Sequence, residues 1–386
     1  MKTYAFYLPQ FHTCPENDHF WGEGFTDWTT TRAARPLFPG HAQPIAPGEL
    51  GYYDLTDAEV IRAQARLARG AGIDGFAIYH YWFDADVRAL DEPIRLLRAD
   101  PTIDIEYFVS WVNEDWTKSW VGDDATLIFE QKYGRRNHEL FFEEVMGFFD
   151  DRRYARVDDR PILYVQRPGH FDCERFMRLG DAVSRARGHG PIYWVAPEIH
   201  VPRSLRGRFD AVLGYPPGDL NPHSGSDDDL RTILSPKALL ERYLPDVVFR
   251  KPGVFRALRC HSYERYCQDY ARHVRGRLAA CPNYVPCLMP NWDNTPRYGE
   301  RGFLFEGASP RSFAAMVEDA LAAASDTTPF LLLKAWNEWA EGNHLEPDAA
   351  TGRARLDALQ EVLERAPGGN HASSAEPSHR TEETRP

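Results

Sequence analysis

Eight short apolar runs, each followed by polar and aromatic residues, constrain the fold of this 386-residue chain more than any other feature. The runs are rich in Val, Ile, Phe and Tyr, which is typical of strands buried on both faces. Segments with a helical apolar period separate them. Strands that alternate with helices predict a parallel sheet wrapped in helices. The predicted strands span residues 3–8, 73–81, 103–111, 161–166, 192–196, 209–215, 284–289 and 330–336.

Nearly every predicted strand ends in a polar or aromatic cluster. In a (β/α)8 TIM barrel, the carboxyl ends of all the strands meet on the face that carries the active site. A doubly wound open sheet would instead concentrate such residues at one switch point. The sequence therefore favours the α/β class with a (β/α)8 barrel. The predicted helices span residues 58–69, 91–98, 139–149, 173–187, 262–278, 312–324 and 355–364.

Two long segments interrupt the alternation of strands and helices. Residues 13–56, after the first strand, are rich in Pro and Gly and are predicted to form an ordered lid or rim. Residues 218–257, after the sixth strand, are a second insertion, predicted to be mobile around its polar stretch. We predict one catalytic domain over residues 1–367. The tail over 368–386 has almost nothing apolar to bury and is predicted to be disordered.

Charge and cysteine pattern narrow the class of protein. The formal net charge of −12 argues against a nucleic-acid partner, because phosphate binding requires a concentrated basic face. The six cysteines lack a CxxC pair and predict free thiols in a reducing compartment. Neither a signal peptide nor a membrane-spanning apolar run is visible, which predicts a cytoplasmic protein. The oligomeric state is not predicted.

Metal and nucleotide motifs are not found. The histidines are scattered and lack the HxxxH or Cys/His spacing of a zinc site. No Gly-rich phosphate loop follows a strand. We therefore predict no metal and no cofactor.

The strongest candidate site contains Glu338 and Glu341, which follow the most apolar strand of the chain. At positions i and i+3 of a helical turn, their Cβ atoms would lie about 5–6 Å apart. Retaining glycosidases place two carboxyl groups at about 5–5.5 Å. Like charges at this distance separate the two pKa values, which leaves one proton donor and one anion. The alternative is a solvated acidic loop, but two Trp, an Asn and a His nearby disfavour it.

Other strand ends supply candidate substrate-binding residues. Glu114 follows Asn113 at the end of the third strand and is a rival for the catalytic acid; otherwise it would orient substrate hydroxyls. Asp293 would bind sugar hydroxyls or cap a turn. The aromatic residues would stack on sugar rings or belong to the core. The full set of predicted substrate-binding residues is Tyr7, Gln10, His12, Trp28, Tyr79, Tyr81, Trp82, Trp111, Asn113, Glu114, Trp116, Trp292, Asp293, Asn337, Trp339 and His344.

Four stretches resemble a known family. They are AFYLPQFH at 5–12, GFTDW at 24–28, GELGYYD at 48–54 and WNEWAEG at 336–342. They are similar to the WbsX-type glycosyltransferase family, which is akin to glycoside hydrolase family 99, the endo-α-mannosidases. The resemblance implies a (β/α)8 barrel without a metal that acts on an oligosaccharide or glycan. It also implies a role in bacterial surface polysaccharide metabolism, such as that of O-antigen or capsule.

The resemblance also implies roles for the paired glutamates. In the hydrolase family, the first Glu of the ExxE pair assists attack by the substrate's own 2-hydroxyl, through a 1,2-anhydro sugar. The second is the general acid and then the base. Carried over, Glu338 takes the first role and Glu341 the second. Ala340 stands where the endo-mannosidases have His, so their particular substrate is a weaker inference than their chemistry.

Three functions stay open at this point. The first is a retaining glycoside hydrolase or transglycosylase that uses the paired glutamates. The second is a glycosyltransferase that builds the polysaccharide from an activated sugar. Its phosphates would need a basic site, which loop residues such as Arg32, Arg35 and Arg297 would form if they converged. The third is a non-catalytic glycan-binding barrel, which the intact pair of glutamates disfavours.

Overall fold

The computed structural model describes residues 1–118, 123–219, 231–232, 258–324 and 328–366. Parallel strands pair in sequence order around a barrel, and the first strand pairs with the last. The predicted (β/α)8 barrel is confirmed. The barrel strands are β1 (Lys2–Tyr7), β2 (Gly75–Trp82), β3 (Glu106–Trp111), β4 (Arg160–Val165), β5 (Tyr193–Pro197), β6 (Ala211–Leu213), β7 (Tyr284–Val285 and Cys287–Leu288) and β8 (Phe330–Leu333).

Strand β7 closes the barrel in two halves. Its first half pairs with β6, where Val212 lies opposite Tyr284. Its second half pairs with β8, where Cys287 lies opposite Leu332. Pro286 separates the halves because it has no N–H to contribute to the ladder, although its carbonyl accepts a bond of 3.0 Å from the Leu332 amide.

The barrel strands are apolar because both of their faces are covered. All eight residues of β2 and all four of β8 are buried. Inside the barrel, the ring of Tyr4 meets those of Phe108 and Phe330 edge to face, at centroid distances of 5.3 and 5.5 Å. Strands covered on both faces read as continuous apolar runs. This explains why all eight were visible in the sequence.

Helices follow every barrel strand except β5. Between β5 and β6, two 3₁₀ turns (Glu198–His200 and Arg203–Leu205) make the connection, and the sequence predicted no helix there. The helices in the described residues are α1 (Pro15–Trp21), α2 (Asp27–Ala33), α3 (Ala58–Gly70), α4 (Glu92–Ala99), α5 (Arg135–Phe149), α6 (Cys173–Ala186), α7 (Tyr263–Ala280), α8 (Thr295–Tyr298), α9 (Pro310–Ala323) and α10 (Ala354–Arg365).

Helix α3 shows how the sequence specifies the outer layer. Its buried residues Ile61, Gln64, Ala65 and Ala68 recur at the helical period and form one stripe against the barrel. The carboxylate of Asp57 accepts a hydrogen bond of 2.9 Å from the Glu59 amide and caps the first turn. The side-chain amide of Gln64 lies in this stripe and donates a hydrogen bond of 2.7 Å to Glu346, in the loop after β8.

The insertion after β1 forms an ordered rim on the side of the barrel where the strands end. It contains α1 and α2, and the Trp28 ring packs on those of Phe11 and Trp339 at centroid distances of 4.5 and 5.5 Å. A β-bridge joins Pro47 to Asp348. The insertion is therefore attached to the loop that follows β8.

Short strands lie outside the barrel, and several stand next to the insertions. The second predicted insertion lies largely outside the described residues, as does the predicted disordered tail. Within the described residues one hydrophobic core runs from Tyr4 to Leu363, and the single domain over residues 1–367 stays a prediction. The short strands are Arg88–Ala89, Trp116–Lys118, Asp123–Phe129, Arg156–Val157, Arg231–Thr232, Arg259–Ser262, Phe303–Glu306, Asn337–Glu338 and Asn343–His344.

All six cysteines carry free thiols, in agreement with the sequence pattern, and the reducing compartment stays a prediction. Within the described part of the chain, no helix is both long and apolar enough to cross a membrane.

Candidate active site

The loop after β8 brings Glu338 and Glu341 together in a tight hairpin. Asn337–Glu338 pairs antiparallel with Asn343–His344, and Trp339–Glu341 forms one 3₁₀ turn between them. The predicted helical turn is thus present, and the two carboxyl groups are close enough for the charge of Glu341 to raise the pKa of Glu338. Gly342 completes the turn at a φ of 58°, where an added Cβ would lie 2.9 Å from the Asp293 side chain. Only glycine fits this position without strain.

Glu338 is buried and shares its surroundings with another acid. Glu338 is 5% exposed, and the side-chain amide of Asn343 donates a hydrogen bond of 3.3 Å to its Oε2 atom. Burial and the Glu341 carboxylate raise the pKa of Glu338, while Lys334 and Arg297 oppose the rise. The net result is a pKa of about 7. A pKa of about 7 leaves Glu338 partly protonated at neutral pH, because burial and a like charge nearby both disfavour its ionisation.

Glu341 forms an ion pair with a buried arginine. Arg297 Nη1 lies 2.7 Å from Glu341 Oε1, and Arg297 Nη2 lies 3.3 Å from the fully buried Asp27. Burial disfavours the charge of Arg297, but Asp27, Glu341 and Glu338 raise its pKa above the usual value. The guanidinium is thus committed to two carboxylates, one from helix α2 and one from the β8 loop.

Both carboxyl groups line a cavity of about 810 Å³ at the carboxyl ends of the barrel strands. This volume is in the range of small-molecule and sugar-binding sites. Eight of the predicted site residues lie on its wall, including both glutamates. They are Gln10, Tyr79, Tyr81, Glu114, Trp116, Trp292, Glu338 and Glu341.

Aromatic residues form two parts of the cavity wall. Tyr81 and Trp116 meet edge to face at a centroid distance of 4.6 Å on the β2–β3 side. Trp292 stacks on Phe303 at 5.7 Å on the β7 side. Such rings offer flat apolar faces to the C–H groups of a sugar. The arrangement fits the alternative in which some of the predicted aromatic residues stack on sugar rings.

The other ten predicted substrate-binding residues do not line this cavity. The structure places their side chains under or behind its wall, where they are at most 5% exposed. Direct contact with a ligand in the cavity is therefore assigned to the residues on the wall. The ten are Tyr7, His12, Trp28, Trp82, Trp111, Asn113, Asp293, Asn337, Trp339 and His344.

The two asparagines among these ten hold loops in place. Asn337 accepts from the Leu8 amide at 2.7 Å and donates to the Leu8 carbonyl at 3.0 Å, which ties β8 to β1. Asn113 bonds the Arg167 backbone in the same double manner, at 2.8 and 3.0 Å. Asp293 accepts hydrogen bonds from His41 and Gln43 and faces a second cavity of about 670 Å³.

The aromatic residues among the ten are packing residues. Tyr7 donates to Gln64 at 2.8 Å, on the helix side of β1. Trp82 and Trp111 are fully buried between the barrel and α5. Trp339 and His344 stack on each other at 3.8 Å across the hairpin.

Glu114 lies in the cavity but is paired with an arginine. Its Oε2 atom is 2.7 Å from Arg167 Nε. This ion pair favours a role in orienting substrate over the rival role of catalytic acid, because a catalytic acid must hold a proton.

Sequence reasoning missed four residues that shape the site. Lys334, Arg167 and Tyr215 line the cavity. Glu346 lies behind it, and its carboxylate accepts hydrogen bonds from Trp339, Gln64 and Tyr53 at 2.6, 2.7 and 2.8 Å. Lys334 had a visible signal, since a lysine directly after an all-apolar strand is unusual. Glu346 had none, because its partners are far apart in the sequence.

Burial raises the pKa of Glu346 to about 7, although its three donors lower it. This carboxyl group joins the insertion after β1, helix α3 and the β8 loop at one point. Of the arginines proposed to converge, Arg297 lines the cavity, whereas Arg32 and Arg35 are exposed and do not. Across the described ranges, no three His, Cys, Asp or Glu side chains are arranged to hold a metal ion.

Comparisons with known proteins agree with this architecture. A sequence profile of the family described as glycosyltransferase WbsX matches residues 3–359. Two curated relatives, both called uncharacterized protein WxcX, come from Xanthomonas campestris pv. campestris strains B100 and ATCC 33913. Each is 35% identical over 377 residues, which cover 94% of this chain and 50% of the relative. The chain thus spans about half the length of these relatives.

Solved structures share the fold at low sequence identity. The GH99 endo-α-mannosidase from Bacteroides thetaiotaomicron aligns with a TM-score of 0.54 and 13% identity, over 94% of this chain and 96% of that one. A glycoside hydrolase-like protein aligns with a TM-score of 0.54 and 15% identity, over 94% and 93% of the two chains. At these identities the likeness shows a common barrel fold.

Proposed function

Because the chain belongs to the WbsX glycosyltransferase family and is a carbohydrate-active enzyme, we propose that Glu338 and Glu341 make or break glycosidic bonds by acid–base catalysis. One observation carries the proposal: two acidic side chains, one of them with a pKa raised to about 7, share the wall of an aromatic-lined cavity. Acid–base catalysis at a glycosidic bond needs both a carboxyl that gives a proton and a carboxylate that takes one.

The proposed first step follows the family chemistry. The substrate's 2-hydroxyl oxygen attacks C1, and Glu338 takes the hydroxyl proton. Glu341 gives a proton to the departing oxygen, which leaves as an alcohol. The product is a 1,2-anhydro sugar, and reversal of the two proton transfers lets water or another sugar hydroxyl open it. The anomeric configuration is retained because C1 is attacked twice.

This assignment requires the single proton to be on Glu341 when the bond breaks. In the unliganded site burial raises the pKa of Glu338, which favours a proton there and thus the reverse distribution. Both carboxyl groups line one cavity, so a bound substrate would redistribute the proton between them. A comparison of substrates with good and poor leaving groups distinguishes the two distributions.

The direct test uses the purified chain with synthetic α-mannosides and with a panel of nucleotide sugars. Wild type should release sugar or consume a donor. Glu338→Gln and Glu341→Gln should each lose about 10²-fold or more of that activity. Glu361→Gln, an exposed change on α10, is the matched control and should behave as wild type. If both active-site variants kept more than roughly a tenth of the rate, the carboxylate assignment would fail.

A glycosyltransferase is the second candidate function, and one observation favours it. Three cationic side chains line the same cavity, namely Arg167, Arg297 and Lys334, as a site for an activated sugar requires. Consumption of a nucleotide sugar without release of free sugar from α-mannosides would favour this candidate. We further propose that the enzyme acts in surface polysaccharide metabolism and in the cytoplasm. Loss of the enzyme should then change the polysaccharide ladder of the host cell.

A further inference from the structure

Lys334 is a buried cation on the cavity wall with no role in the proposed chemistry. It follows β8 directly, and its amide donates to the Leu288 carbonyl at 2.8 Å, which fixes its backbone to β7. The residue is 5% exposed, yet it lines the cavity beside Glu338. Burial opposes its charge, but Tyr215, Glu338 and Glu341 raise its pKa. The side chain is therefore an ammonium ion.

Two aromatic rings cover part of this ammonium group. Its Nζ atom lies 4.3 Å from the Tyr215 ring centroid and 5.3 Å from that of Trp292. Aromatic faces attract a cation but cannot accept its three N–H bonds in place of oxygen atoms. Over the described ranges, Lys334 Nζ has no hydrogen bond to an oxygen and no ion pair. A buried ammonium without such acceptors is costly.

The other cavity cations differ from Lys334 in this respect. Arg297 is committed to Glu341 and Asp27, and Arg167 is committed to Glu114. The charges of Glu338 and Glu341 raise the pKa of Lys334, but within the described residues neither carboxyl forms a hydrogen bond or an ion pair with it. Lys334 thus holds donors that are open toward the cavity and toward whatever binds there.

We infer that Lys334 binds an oxyanion of the substrate, a sugar carboxylate or a phosphate, next to the two glutamates. The inference rests on the proposed function, because it names a chemical group of the ligand in the same cavity. Hydrogen bonds from an ammonium to an oxyanion are roughly twice as strong as those to a neutral hydroxyl. A carboxylate would mark an acidic sugar, whereas a phosphate would mark an activated sugar donor.

The test measures binding, so it does not depend on turnover. Saturation-transfer NMR titrations near neutral pH would compare methyl α-mannopyranoside, the corresponding methyl mannopyranosiduronate and α-mannose 1-phosphate. The proteins are wild type, Lys334→Met, Lys334→Arg and the control Lys132→Met. Lys132 is exposed, pairs with Asp84 and does not line the cavity.

Wild type should bind at least one anionic ligand more tightly than the neutral glycoside. Lys334→Met should weaken the binding of that ligand by about 10- to 100-fold and change the affinity for the neutral glycoside by less than about twofold. Lys334→Arg should keep part of the preference, and Lys132→Met all of it. The anion that responds distinguishes the acidic sugar from the activated donor.

Two results would overturn the inference. One is a wild type that binds neither anion more tightly than the neutral glycoside, which decides the matter even if Lys334→Met does not fold. The other is a Lys334→Met variant that weakens all three ligands equally, as a structural role would. Failure of the proposed function looks different, because Glu338→Gln and Glu341→Gln would then keep turnover, whatever the binding data show.

Discussion

The change of Glu338 to glutamine tests how much a negative charge at this position destabilises the folded state. Burial and the neighbouring Glu341 raise the pKa of Glu338 from 4.5 to about 7. Such a rise corresponds to about 3 kcal/mol of folding free energy. Below the pKa of the unfolded chain, the carboxyl is neutral in both states and carries no penalty. As the pH rises from 4.5 to about 7, the unfolded chain ionises this carboxyl while the folded chain keeps its proton, so stability falls by up to this amount.

Glutamine has nearly the same shape and stays neutral at every pH. We therefore expect Glu338→Gln to match wild type near about pH 4 and to exceed it by up to about 3 kcal/mol near about pH 8.5. Urea unfolding of both proteins over this pH range measures the difference. Glu361→Gln should show no such trend because that side chain is exposed. The stabilised variant should have lost turnover, which separates the role of the charge from damage to the fold.

Two outcomes would refute this reasoning. A stability difference that stays constant with pH would show that Glu338 ionises as easily in the folded chain as in the unfolded one. A variant that is less stable than wild type at alkaline pH would show that the carboxylate is favourably solvated or paired. In either case Glu338 could not hold a proton at neutral pH.

Four further predictions follow from the site. On an aryl glycoside with an acidic phenol, Glu341→Gln should recover more activity than Glu338→Gln, because a good leaving group needs little protonation. Rescue of Glu338→Gln instead would reverse the two roles. Glu114→Gln should raise KM more than it lowers kcat. The kcat of wild type should fall as the pH rises above about 7, because the pair then loses its proton; a flat alkaline profile would count against it. Glu346→Leu leaves three buried donors unpaired and should lower the unfolding free energy by about 3 kcal/mol or more, as a shift in the urea midpoint would show. Truncation after residue 367 should change neither the melting temperature nor the activity, since the tail is almost entirely polar; a drop of several degrees would show that it docks on the barrel.

The barrel was predictable because its strands are covered on both sides. Runs such as 330–336 have no polar alternation, and each ends in a cluster that belongs to one face of the barrel. The helical turn around Glu338 and Glu341 was also predictable, because spacing in sequence determines spacing within a single turn. Local pattern thus sufficed wherever neighbouring residues decide the geometry.

The division between cavity wall and packing layer could not be predicted in the same way. Trp111 and Trp116 occur in one cluster, yet the first is fully buried against α5 and the second lines the cavity. Successive side chains of a strand point to opposite faces, and the backbone turn that follows decides where the next ones point. Lys334 was missed for a related reason. The rings that cover its ammonium group belong to Tyr215 and Trp292, which follow β6 and β7 and are distant from it in the sequence.

The double hydrogen bond between Asn337 and Leu8 makes the catalytic loop part of the seam of the barrel. The bonded residues are 329 positions apart, and β1 pairs with β8 beside them. During synthesis, β1 emerges first and has no partner on this edge until β8 has left the ribosome. Contacts of such sequence separation form late, because the loop they close is long. Completion of the barrel and attachment of the loop that carries the two glutamates are therefore one event, so partly folded chains should be inactive and should expose a strand edge open to aggregation.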